Sequence, residues 1–230
     1  MIVIDVKQGS VEWQRARMGM PTASQFHRIL TPKTRKTASG AKSYLCELLA
    51  ERLLGHPING GTTDFMLRGS ALEAHAVSGY AFTHDVEPKE VGFCLADGRR
   101  YGASPDRLVG EYGGLDIKCL AAHNHVSALL GYDDDAYDMQ AHGCMLVTGR
   151  QWWDVVYSNP DLPARERRVE CDFELLKTLS DAVETFCDAL DEAERMVRQR
   201  YGMAGESAGV TQDALKELSD EFPADAIRGM

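Results

Sequence analysis

Two aspartates and a lysine within a short span carry the clearest chemistry in this sequence. Ser104-Pro105-Asp106 is followed by Leu115-Asp116-Ile117-Lys118. Side chains alternate between faces along a strand, so Asp116 and Lys118 leave the same side. Asp106 closes the preceding strand, and a Gly113-Gly114 turn would fold it back beside Asp116. Two carboxylates suit a divalent, oxygen-seeking cation such as Mg²⁺, with the Ile117 carbonyl as a further oxygen. Lys118 would orient or help deprotonate a water and offset charge gathering on a phosphate. The chemistry indicated is metal-assisted phosphoester hydrolysis. A surface ion pair between Asp116 and Lys118 is the plainer alternative.

Further residues extend this set. Glu73, in RGSALEAHA, would supply another carboxylate from a helix beside the strands, or simply be an exposed helical acid. Gln140 is a polar residue in an otherwise apolar helix, either supporting the site or bonded to backbone at the edge of the core. Trp13-Gln14-Arg15-Ala16-Arg17-Met18-Gly19 precedes Pro21-Thr22-Ala23-Ser24. There Arg17 can grip a phosphate by two hydrogen bonds, and Ser24 at a helix start adds a hydroxyl and free N–H groups. The competing reading makes Trp13 core and Arg17 a surface ion-pair partner.

The elements that must position these groups are legible from periodicity. A helix is predicted over 41–54 with Gly55 as its C-cap, another over 64–84, and a short one after the N-cap Thr22. From Glu87 to Lys118 short apolar runs alternate with turn residues, predicting three antiparallel strands with turns at Asp97-Gly98 and Gly113-Gly114. Helices follow over 123–130 and 135–148, then strands at QWWDVVYS and RRVECDF, then a long amphipathic helix over 173–200. Helices on either side of a central sheet indicate an α/β or α+β domain. One domain is expected over 1–201, with a small-residue linker and an acidic tail over 202–230.

Composition sets bounds. The 230 residues carry 25 Lys+Arg and 35 Asp+Glu, a formal net charge of −10, which argues against general polyanion affinity. Residues 1–60, however, have a local balance of +5, densest at Lys33-Thr34-Arg35-Lys36. Six scattered cysteines with no CxxC pair exclude zinc-ribbon and dithiol redox chemistry. The absence of an apolar leader in the first thirty residues, and of any membrane-length apolar run, leads to the expectation of a soluble cytoplasmic chain.

Taken in order, W-x-x-x-R-x-G-x-x-T-A-S, a G-x-x-x-E helix (Gly69 to Glu73), S-P-D, D-I-K and the Gln140 helix resemble the lambda exonuclease family, the YqaJ-like viral recombinases of the PD-(D/E)xK nuclease superfamily. The resemblance spans about Gly9 to Tyr157. It implies a restriction-endonuclease-like α/β core at about 64–158, a mixed central β-sheet flanked by helices. It also implies a Mg²⁺-dependent processive 5′-to-3′ exonuclease on linear double-stranded DNA. Such an enzyme releases 5′-mononucleotides and leaves a 3′ tail, works as a homotrimer ring, and is paired with a single-strand annealing protein in phage-type recombination. Carried over by motif, Asp106, Asp116 and the Ile117 carbonyl bind metal, two ions per site with Mn²⁺ able to substitute. Lys118 is the catalytic lysine, Glu73 the helix acid, and Gln140 a supporting residue. Arg17 and Ser24 take the 5′-phosphate, Met66 is a strand wedge, and Trp13, Lys33, Arg35 and Lys36 are candidate DNA contacts.

Two departures stand out: Asp116 replaces the Glu of many relatives, and His142-Gly143 follows Gln140 where many have a second Gln and an aromatic. Other readings remain open. His123, His125 and His142 with Asp133-Asp134-Asp135 would make a zinc or manganese hydrolase site, although a helix over 123–130 points i and i+2 apart. A sequence-specific endonuclease and a DNA-end-binding protein without catalysis are the others.

Overall fold

The computed structural model describes residues 1–58, 64–132 and 135–203, and in the helix starting at Asp64 it describes side chains from residue 72 onward. Asp133, Asp134, the Met66 side chain and the chain beyond residue 203 lie outside the described residues. The order is β1 (Ile2–Ile4), α1 (Val11–Ala16), a 3-10 helix (Ala23–Arg28), α2 (Ala41–Leu54), α3 (Asp64–His84), β2 (Phe93–Leu95), β3 (Gly102–Ala103), β4 (Arg107–Val109), β5 (Gly113–Cys119), α4 (Ala122–Leu129), α5 (Asp135–Thr148), β6 (Trp152–Asn159), β7 (Leu162–Glu170) and α6 (Phe173–Tyr201). The architecture is mixed α/β, with sheets flanked by helices. The helices over 41–54 and 64–84 have the predicted bounds, and Gly55 caps α2 in the left-handed region at φ 71°.

The strand region departs from expectation. Instead of three consecutive antiparallel strands there are two hairpins in separate sheets: β2–β3 in a sheet ordered β1-β2-β3, and β4–β5 in a sheet ordered β4-β5-β6-β7. Gly113-Gly114 is not the turn. Both residues lie inside β5, where a Cβ would come within 2.0 Å of the Trp152 ring and 2.2 Å of the Trp153 ring. The reversal falls at Gly110–Tyr112, and Arg150 holds it by donating to the carbonyls of Val109, Gly110 and Gly113. The glycines are there because two indoles on the neighbouring strand need the space.

β5 and β6 run parallel, joined through α4 and α5, and β7 returns antiparallel to β6. Pairing in register makes the two faces of β5 unequal. Leu115 and Ile117 pack with Val156 and Tyr80 under α3. Val155 and Tyr157, in register with Asp116 and Lys118, join the main core with α5. β7 begins at Leu162, earlier than predicted, with Pro163 near the start of an edge strand where its missing N–H costs no ladder bond.

α6 closes the molecule. Asp172 caps it by accepting from Leu175 N at 3.0 Å. Its buried stripe of Leu175, Leu179, Val183, Phe186 and Leu190 keeps to one face, each side chain worth roughly 1.5–3 kcal/mol when fully buried. Acidic residues beside that stripe bind arginines of other elements. Glu184, Asp188 and Asp191 hold Arg100 at 2.7–2.9 Å, while Asp191 and Glu194 hold Arg52 at 2.7 and 3.2 Å. Among the described residues no helix is long and apolar enough to cross a membrane.

Candidate active site

β4 and β5 pair only as far as Arg107 and Leu115, and beyond that point β5 presents an open edge. Asp106 occupies it: its Oδ2 accepts the Ile117 N–H at 2.6 Å, replacing the missing strand. Both main-chain groups of a strand residue leave the same edge, so the Ile117 carbonyl points to the side of Asp106. Asp116 is 1% exposed and its Oδ2 accepts from Lys118 Nζ at 3.2 Å. Lys118 also donates to Gln140 Oε1 at 3.0 Å, and its ammonium lies 5.1 Å from the centre of the Tyr137 ring. Asp106, Asp116, Lys118 and Gln140 thus form one cluster between β5 and α5.

The electrostatics follow from this crowding. Burial, then the Asp116 carboxylate, pushes Asp106 up to about 7 against the opposing pull of Lys118. Burial opposes charge on Lys118, but Asp116 and Asp106 outweigh it and hold the ammonium above its ordinary range. Lys118 is therefore a cation at neutral pH, a donor and a counter-charge rather than a base.

The Asp116 Oδ1 atom is buried and accepts no hydrogen bond. A buried carboxylate oxygen with nothing to satisfy it is costly, and a cation is the partner this arrangement fits. Among the described residues no three His, Cys, Asp or Glu side chains converge. The donors available to Mg²⁺ are accordingly Asp106, Asp116 and the Ile117 carbonyl, completed by water, as that ion prefers.

Glu73 stands apart from that pair. Its Oε1 takes Arg107 Nη1 at 3.3 Å, and burial, partly offset by Arg107, raises its pKa, with Glu90 and Asp116 adding to the rise. Arg107 had no signal in the sequence beyond following Asp106.

A cavity of about 310 Å³ lies between α1 and α2, lined by Trp13, Arg17, Thr22, Arg28, Tyr44 and Glu51 among others. Arg17 stacks on the Trp13 ring at 4.3 Å and donates to Thr22 Oγ1 at 3.3 Å. The Thr22 hydroxyl thus serves Arg17 and makes no capping bond to the 3-10 helix. Ser24 Oγ is 3.5 Å from Thr22 Oγ1. Arg28 is committed to Glu47 through two hydrogen bonds at 2.6 and 2.8 Å. The Trp13 indole N–H reaches Ser104 Oγ at 2.9 Å, joining this cavity to the loop that carries Asp106. Gln8, which sequence reasoning missed, braces the same loop by donating to the carbonyls of Val91 and Pro105.

Lys33 and Arg35 are not free: they pair with Asp135 at 2.8 Å and Asp172 at 2.6 Å. Lys36 is exposed, with no ion pair among the described residues. Among the described residues the histidine-site reading finds no support, and no metal-holding group forms around His123, His125 and His142. His125 is buried in α4 with Nε2 at 2.8 Å from the Pro163 carbonyl. His142 Nδ1 donates to the Asp138 carbonyl while Nε2 accepts from Asp172 N. Asp133 and Asp134 fall outside the described residues. Gly143 has its own reason: a Cβ there would lie 2.7 Å from the Phe26 ring and 3.0 Å from Ala23, so its absence lets the Thr22–Ser24 segment settle against α5.

Comparison with known proteins gives a consistent outcome. Residues 12–151 match the YqaJ-like viral recombinase domain family. An alkaline exonuclease from Laribacter hongkongensis, LHK-Exo, is 30% identical with a TM-score of 0.75, over 84% of this chain and 98% of its own. The structure of LHK-Exo in complex with dAMP aligns at 31% identity with the same TM-score and coverage. A phage related exonuclease from Haemophilus somnus shares the fold at 16% identity and a TM-score of 0.65, over 77% of this chain and 96% of its own. A comparison with curated proteins found no match.

Proposed function

The chain belongs to the YqaJ-like viral recombinase domain family and is a nuclease acting on DNA, and from that premise we propose a Mg²⁺-dependent exonuclease that enters linear duplex DNA at its ends. It degrades one strand processively in the 5′-to-3′ direction, releases 5′-mononucleotides, and leaves a 3′ tail for recombination through an annealing protein. It works in the cytoplasm as a homotrimer around DNA. The observation that carries this reading is the joining of the Asp106–Asp116–Lys118 cluster to the Arg17 cavity through Trp13 and Ser104. A site for cutting tied to an anion pocket suits a terminal phosphate better than an internal one. That LHK-Exo was crystallised with dAMP, a mononucleotide, supports the same product here.

In this mechanism Arg17, with Ser24 nearby, binds the 5′-phosphate in two-pronged fashion. Asp106, Asp116 and the Ile117 carbonyl would hold Mg²⁺, and Glu73, bonded to Arg107 and apart from that pair, would serve the site from α3 as a supporting carboxylate rather than a direct ligand. When bound, Mg²⁺ supplies charge to the phosphoryl oxygens and acidifies water. Lys118, with two of its protons given to Asp116 and Gln140, directs the third at the attacking water or a phosphoryl oxygen. Gln140 keeps the ammonium from collapsing wholly onto Asp116.

The test uses duplexes labelled at the 5′ or 3′ end, with and without a 5′-phosphate, beside closed-circular duplex. We expect early release of labelled 5′-mononucleotide, untouched circles, and a rate that falls at least tenfold without the phosphate in wild type but far less in Arg17→Ala. Cleavage of intact circles, or first release from the 3′ end, would refute the proposal.

A further inference from the structure

α3 makes polar contacts to the sheet at three heights. Glu73 meets Arg107 of β4, Tyr80 meets Asp154 of β6, and His84 Nε2 meets Glu166 of β7 at 2.7 Å. Glu73 and Tyr80 are seven residues apart, two turns on one face, with Ala76 and Val77 packed between them against Val109, Leu115, Ile117 and Val156. Beneath this face runs β5, with Leu115 in register with Asp154. The helix thus crosses the catalytic strand while bonded to strands on both sides of it.

The middle contact is the most enclosed. Tyr80 is 2% and Asp154 4% exposed. The Tyr80 hydroxyl donates to Asp154 Oδ2 at 2.6 Å, and Arg168 grips both carboxylate oxygens at 2.8 Å. Arg168 in turn stacks at 3.8 Å on Trp152, whose ring covers Gly113 of β5. Apolar packing alone would secure the helix equally well, since a buried ion pair adds little over hydrophobic replacement. What a directional bond adds is a fixed height: the Glu73–Arg107 and His84–Glu166 contacts are partly exposed, so the buried Tyr80–Asp154 bond is the one that holds the helix against sliding over Val109, Leu115 and Val156.

We propose that Tyr80, through its hydrogen bond to Asp154, is a positioning residue for the metal site, setting the height of α3 and with it the place of Glu73. The proposal rests on the assignment of Glu73 made above. Tyr80→Phe is a clean probe, because Asp154 keeps Arg168 as its counter-charge and the ring keeps its packing.

The experiment measures Mn²⁺ binding by EPR of the free ion, together with kcat, KM and Tm, for wild type, Y80F, E73Q and the double variant. Y80F is expected to bind Mn²⁺ about tenfold more weakly, as loss of a group supporting a metal site does, with kcat reduced and KM for DNA unchanged. In the E73Q background, Y80F is expected to add no further loss of affinity. A Y80F protein that melts lower but binds Mn²⁺ like wild type overturns the proposal, as does a loss that adds in full to that of E73Q. If E73Q alone binds Mn²⁺ with wild-type affinity, the assignment of Glu73 falls and this inference falls with it.

Discussion

Asp106 accepts the Ile117 N–H yet sits beside Asp116, and these neighbours pull its ionisation in opposite directions. Burial and Asp116 dominate, so the folded chain holds a proton on Asp106 up to about pH 7, whereas the ordinary carboxyl value is 3.8. Between these two values the folded state binds more protons than the unfolded one. This contribution to stability is therefore complete below about pH 4 and is lost as pH rises through about 7. In chelator, wild type should lose Tm from pH 5 to 8, and Asp106→Asn should show a flatter profile over that window. Identical slopes in the two proteins would show that Asp106 is not the group responsible. Lys118, by contrast, stays charged throughout, which suits a residue whose task is to hold and direct rather than to exchange protons.

At the level of elements, close packing leaves specific atoms nowhere to go. Gly143 lets the 3-10 helix approach α5, and Gly143→Ala forces its Cβ against the Phe26 ring and the Ala23 backbone. Such overpacking costs about 1–3 kcal/mol. Denaturant melts should place Gly143→Ala in that range and leave Gly98→Ala, with nothing within 4 Å, near wild type; equal stability of the two would contradict the packing argument. Much of this level was legible in the sequence. The leucine face of α2, the whole of α3, and the strand bearing Asp116 and Lys118 follow from periodicity, because each repeats its pattern over enough residues to be unambiguous. Gly113-Gly114 was misread because the dipeptide is a turn signal locally, and what demands it is a pair of indoles forty residues away. β1 was missed for a similar reason: three residues, Ile2–Ile4, are too few to show alternation. In the site, the partners of Lys118 were readable as residue types, while the Glu73–Arg107 and Trp13–Ser104 contacts depend on tertiary approach alone.

Across the whole molecule, part of the acidic charge is tied up in ion pairs along α6. Glu184, Asp188, Asp191 and Glu194 bind Arg52 and Arg100, so this part of the acidic surface is locally balanced by cations already counted in the net charge of −10. The basic loop is partly neutralised, through Lys33–Asp135 and Arg35–Asp172. Each phosphate contact contributes about 0.9 to the slope of log K against log salt. When Lys33 or Arg35 leaves its carboxylate for DNA, that carboxylate regains a cation and offsets the release. Lys36→Ala should thus lower the slope by about one, and Lys33→Ala with Arg35→Ala together by clearly less than two. Equal effects per charge would mean that the ion pairs do not compete with DNA. The Trp13 indole, finally, touches both Arg17, the residue proposed to receive a chain end, and the serine two residues before Asp106. An enzyme that grips at the first point and cuts at the second has a fixed stride. Under the proposed mechanism, the length of each fragment would be set by this spacing, whatever bases pass through.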